Sequence, residues 1–137
     1  MICGSMTFAK EMVETKSTLE KLGHTVLLPC DAETHVNNPA LIDDLAADAQ
    51  HLKDNDVLRK CFQRVAESEA VLFLNHKKNG ISGYIGTSSL MEMGIAYHLG
   101  KKLFLLNETP TPKQARWAHE VQVMNPFVLD GKLNLIK

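Results

Sequence analysis

The chain has 137 residues, 45% of them apolar and 23% charged, with a formal net charge of −1. A single domain spanning 1–137 can bury roughly 68% of the surface its unfolded chain exposes, so neither a disulfide framework nor a structural metal is needed. The near-zero charge excludes an electrostatic grip on a nucleic-acid polymer or an acidic membrane, leaving small molecules as the expected partners.

Cysteines stand at positions 3, 30 and 61, an odd number with no CxxC spacing. Histidines at 24, 35, 51, 76, 98 and 119 make no HxxxH or HExxH pattern. A reduced, cytoplasmic protein with neither metal nor cofactor is therefore expected. There is no signal-peptide pattern and no run of 18 apolar residues.

In chain order, "MIC" ends a short strand and "GSM" turns out of it. "TFAKEMVETKSTLEKLG" is an amphipathic helix with Phe8, Met12, Leu19 and Leu22 on one face and Gly23 as its stop. "HTVLLP" is a buried strand and "CDAETHVNNP" a polar loop. Residues 39–68 are helical in two pieces, with a break at "DND". "AVLFLN" (70–75) is a buried strand, followed by a loop at 76–87 rich in Gly, Lys and Asn. A helix over 88–99 and a strand "KLFLLN" (102–107) come next, then a helix opened by prolines at 110 and 112. "FVLDGKLNLI" predicts a short terminal hairpin turning at Asp130-Gly131.

Buried strands alternating with helices predict an α/β fold. The expected form is a doubly wound, flavodoxin-like, mainly parallel sheet of about five strands with helices on both faces. Ligands of such sheets bind at the carboxyl ends of the strands, where the strand order reverses. Here those ends are "CGSM" and "LNHKKNGISGYIG".

The helix at 88–99 is apolar nearly all round and still carries Glu92. A buried carboxylate is costly unless it is paired or hydrogen-bonded. One reading is a capping box, with Ser89 as cap and Glu92 reaching back to its amide. The other is a functional carboxylate at the crevice. Gly4-Ser5 likewise reads either as backbone amides offered to a phosphate or as a tight turn capped by Ser5 or Thr7. Neither a dinucleotide fingerprint nor a P-loop is present.

"ICGSM" together with "GYIGTSSLMEMGIAYHLGKKLFLL" resembles the nucleoside 2-deoxyribosyltransferase-like superfamily, which includes the 2'-deoxynucleoside 5'-monophosphate N-hydrolases. The resemblance implies that Glu92 is the nucleophile attacking the anomeric carbon. It implies that Gly4, Ser5 and Met6 line the substrate, that Gly86, Thr87, Ser88 and Ser89 hold its 5' end, and that a carboxylate on the preceding helix, nearest Asp56, assists. Asn75 at the end of the third strand and Asn125 before the terminal segment are further substrate-binding candidates. Asn125 would be lent to a neighbouring subunit, since such proteins form homodimers or larger homo-oligomers with shared sites. The tyrosine that members carry just ahead of the GS turn is absent, because that place falls at Met1.

Departure of the base needs a proton or hydrogen-bond donor, for which His76, Asn75 and Asp56 are candidates. Lys77 and Lys78 offer charge to a phosphate, or simply solvate a loop. Tyr84 stacks on a base or anchors the loop, whereas Tyr97 and Trp117 read as core or interface. Three other readings stand beside this one. The loop is similar to the GGxGTxxE loop of cytokinin-type phosphoribohydrolases, although Thr87 and Glu92 are five apart where that motif needs three. A non-catalytic nucleotide sensor would keep the pocket without turnover. An interaction scaffold would use Glu92 as a cap alone.

Overall fold

The computed structural model describes all 137 residues. Four strands, β1 (Ile2–Cys3), β2 (Ala70–Phe73), β3 (Lys102–Leu105) and β4 (Phe127–Val128), lie side by side in that order, and every pairing is parallel. Six helices surround them: α1 (Ala9–Lys21), α2 (Ala32–Asn37), α3 (Leu45–Asp54), α4 (Val57–Glu67), α5 (Thr87–His98) and α6 (Ala118–Val123). The molecule is a doubly wound parallel α/β fold.

Alternation along the strands separates two cores. Ile2, Leu72, Leu74 and Phe104 face one side and pack with Met12 and Leu19 of α1. Cys3, Val71, Phe73, Leu103 and Leu105 face the other, against Val65 of α4, Met93 and Ala96 of α5 and Val121 of α6. Side chains on successive strand residues point to opposite faces, so a strand covered by helices on both sides reads as a continuous apolar run. Cys3 is thereby aimed at α4 and α5, which matters for the site.

Three expectations need correction. The segment 24–29 is not a regular strand. It runs beside β1 with one bond, from Ile2 N–H to Leu27 O at 2.9 Å, because a two-residue neighbour cannot support a longer ladder. The sheet therefore has four strands rather than five, yet the segment still occupies the edge that a flavodoxin-like order requires. The stretch 32–37 is a helix rather than a loop, packed against α1.

No terminal hairpin forms either. β4 pairs parallel to β3, Asp130 and Gly131 both take positive φ as a tight turn demands, and the chain then enters a 3-10 turn at Leu133–Leu135. The two-residue hairpin turn lies instead at Asn79-Gly80, with φ of 51° and 76° and paired bonds between Lys78 and Ile81 at 2.9 and 3.0 Å.

Candidate active site at the ends of β1 and β2

A cavity of about 340 Å³ opens beyond the carboxyl ends of β1 and β2. Its floor is Glu92, only 6% exposed. The capping box does not form. α5 starts at Thr87, one residue earlier than predicted, with Gly86 at its cap and no side-chain cap bond, so Glu92 sits in the second turn. No helix-capping duty holds its carboxylate. The buried Cys3 thiol of β1 is the group beside it. Burial pushes the Glu92 pKa up to about 7; the neighbouring Cys3 thiol works against that rise, and the charge of Asp31 adds to it. The Cys3 thiol itself is raised well above its ordinary range, by burial first and by the neighbouring carboxylate second.

The front of the cavity is the turn Gly4-Ser5-Met6. A side chain at position 4 would crowd the Met12 methyl at 3.0 Å and the Leu74 carbonyl at 3.3 Å, so glycine suits the close approach of the end of β1 to β2. Ser5 Oγ accepts from the Thr7 N–H at 3.4 Å and from Lys78 Nζ at 2.8 Å. Lys78 comes from the Asn79-Gly80 hairpin and also lies 5.6 Å from the centre of the Tyr84 ring. Tyr84 is set edge-on against Trp117, their rings 6.3 Å apart.

Gly86, Thr87, Ser88 and Ser89 complete this side. The first amides of a helix have no intrahelical acceptor, so this rim combines free N–H groups, hydroxyls and one ammonium. Anions suit it.

The far wall comes from α2, α3, α4 and the 3-10 turn at Pro39–Ile42; of these the sequence reading gave a part in the site only to the helix before β2, through Asp56. His35 is buried there, with Nδ1–H donating to the Asp31 carbonyl at 2.9 Å and Nε2 lying 3.1 Å from Asp48 Oδ1. Cys61 of α4 faces the cavity too, its thiol pushed up to about 12, chiefly by burial.

Several candidates lie elsewhere. Asp56 precedes α4 with φ of 48°, exposed and paired with Arg59 at 3.1 Å. The side chains that this helix turns to the cavity are Val57, Leu58 and Cys61. Asn75 is buried and committed to Asn107: it donates to the Asn107 carbonyl at 2.7 Å and accepts from the Asn107 amide at 2.8 Å. Asn125 is exposed at the turn after α6, with φ of 52°. His76 packs edge-on against Phe8, and neither it nor Lys77 lines the cavity. Tyr97 is exposed.

A larger hollow, about 520 Å³, lies at the opposite ends of the strands, between residues 23–27 and 67–70. It contains none of the buried ionisable groups described above. Comparison with family models, with curated proteins and with solved structures gives no match to this chain.

Proposed function

We propose that the protein cleaves or transfers the N-glycosidic bond of a (deoxy)nucleoside or its 5'-monophosphate, with Glu92 as nucleophile. The observation that carries this reading is a buried carboxylate, free of any capping duty, on the floor of a cavity whose rim suits an anion. The resemblance of the GS turn and of the segment from Gly83 to Leu106 to nucleoside 2-deoxyribosyltransferase-like proteins gives that carboxylate its role.

In this mechanism the 5' end rests on Ser5, Lys78 and the start of α5, which sets the sugar above Glu92. The C1'–N bond breaks as positive charge grows at C1', and a Glu92 oxygen stabilises that charge and then bonds to C1'. The electron pair of the broken bond leaves with the base. Water or a second base then releases the sugar. Glu92 must be ionised to attack, so its raised pKa sets the lower limit of the working pH range.

The reading extends to a homodimer or larger homo-oligomer in a reducing, cytoplasmic setting. Exposed Leu58, Met91, Tyr97 and Leu99 on and beside α4 and α5 support the assembly, and the unpaired state of Cys3, Cys30 and Cys61 supports the setting. No helix is long and apolar enough to cross a membrane.

The test is incubation with deoxynucleosides and their 5'-monophosphates, with and without an acceptor base, followed by chromatography. Base release that disappears in Glu92→Ala supports the proposal, and dependence on the acceptor separates transfer from hydrolysis. No release, combined with thermal stabilisation by nucleotide, makes the protein a sensor instead.

A further inference from the structure

The two ends of the cavity differ in chemistry. Hydroxyls, helix amides and Lys78 gather at the rim near Ser5, whereas Ile42, Leu45, Leu52 and Leu58 give the opposite wall an apolar surface. If a nucleotide occupies the cavity as proposed above, its phosphate belongs at the first end and its flat base against the second. One polar side chain interrupts the apolar wall within reach of solvent: Asp48, 26% exposed, while Asp31 and His35 behind it are buried.

Asp48 makes one side-chain hydrogen bond, through Oδ1 to His35 Nε2 at 3.1 Å. The other ring nitrogen is committed, since Nδ1 faces a carbonyl and must carry a hydrogen. One proton therefore lies between Nε2 and Oδ1, on either atom. In both cases the second oxygen, Oδ2, stays a hydrogen-bond acceptor with no protein partner, held in place because His35 fixes the first. The ionisable groups facing this pair are Asp31 from the turn before α2 and His51 from α3, whose ring lies 6.0 Å from that of His35. Cys61 and Glu92 face the cavity from α4 and α5.

We propose that Asp48 determines base specificity by accepting a hydrogen bond from an exocyclic amino group, with His35 as the residue that positions it. The ligand class is then a nucleotide whose base carries an exocyclic amino group: adenine, cytosine or guanine. A fixed acceptor on an apolar wall matches an N–H donor on a base edge and is left desolvated by a base that lacks one. Sites built this way discriminate strongly against the analogue without the donor.

The test is calorimetric binding to Glu92→Gln, its fold checked by a thermal melt and its turnover blocked on the mechanism proposed above. The ligands are dAMP, dCMP and dGMP, each against the analogue in which hydrogen replaces the amino group. Tighter binding of the amino ligand by roughly 10- to 100-fold is expected. Adding Asp48→Asn should bring the pair within about threefold, since the acceptor is now shared with a donor amide. His35→Leu should erode the preference, and His35→Gln, which can still donate to Oδ1, should restore part of it. If Asp48→Asn does not fold, as judged by its thermal melt, the His35 pair carries the comparison.

Equal affinities for the amino ligands and their analogues in Glu92→Gln overturn this assignment, as does a preference that survives Asp48→Asn. Base release by the wild type without such discrimination overturns the assignment alone and leaves the glycosidic reading standing. Binding of no nucleotide at all removes both.

Discussion

Lys78 donates to Ser5 across a gap of 73 residues, Nζ to Oγ at 2.8 Å, tying the Asn79-Gly80 hairpin to the turn after β1. The ammonium is partly buried, and its hydroxyl partner is neutral, so its charge is uncompensated there. Lys78→Met should therefore weaken binding of a 5'-monophosphate by about tenfold, the size of one charge-assisted hydrogen bond. The unphosphorylated nucleoside should bind nearly as before. Calorimetry on the two ligands measures the difference, and equal losses for both would remove Lys78 from the phosphate end.

Glu92 links activity and stability to pH in opposite directions. Its folded pKa of about 7 lies above the ordinary carboxylate value of 4.5, so the folded state holds a proton that the unfolded state has released. Stability falls as pH rises from the lower value through the upper one, by about 3 kcal/mol in all, and is then level. Glycosidic turnover should rise over the upper part of that interval, as the carboxylate ionises. Glu92→Gln should remove turnover and raise the melting temperature at pH 8, while changing it little at pH 4. Denaturant unfolding at the two pH values checks the sign; a less stable Glu92→Gln at pH 8 contradicts the burial argument.

Asn75 should behave as a structural residue. Its buried amide closes the ends of β2 and β3 through Asn107, and truncation strands the Asn107 amide and carbonyl. Asn75→Ala should cost about 2–3 kcal/mol. The surviving folded fraction should bind nucleotide with unaltered affinity, as urea titration and calorimetry together would reveal.

Gly83 has φ of +72°, and a side chain there would drive into the carbonyl of Glu108. Gly80 has a similar φ but open space around it. Gly83→Ala should therefore destabilise the protein by about 2–4 kcal/mol and Gly80→Ala by about 1 kcal/mol. Parallel thermal melts separate steric collision from backbone strain. Comparable losses would mean that only φ matters.

The layered architecture was legible because β2 and β3 are covered on both faces, so 70–75 and 102–107 read as unbroken apolar runs. Gly4, Ser5, Met6 and the residues from Gly86 to Ser89 were legible for a topological reason: strand ends and helix starts in this fold converge on one edge. The far wall was not. α2 has six residues, too few for a periodicity signal, and Asn37-Asn38-Pro39 around its end reads as loop. What signal there was lay in the Asp31 and His35 spacing of four, one helical turn. His35 meets Asp48 only because α2 and α3 fold against each other through the 3-10 turn, which no local window contains. Both Asn79-Gly80 and Asp130-Gly131 adopt the backbone expected of hairpin dipeptides. Only the first is followed by a segment free to return. After the second, the preceding residues are already paired parallel to β3.

The register of β1 against β2 joins Ile2 to Leu72 and Cys3 to Phe73. Gly4, Ser5 and the Cys3 thiol thus meet β2 and Glu92 only across long stretches of chain. Closing so long a loop is slow. A nascent chain released before Glu92 and its helix emerge holds the pieces of the cavity with nothing to assemble them. Nucleotide added during synthesis should then speed completion of the fold, acting on the one step that joins the two ends of the site.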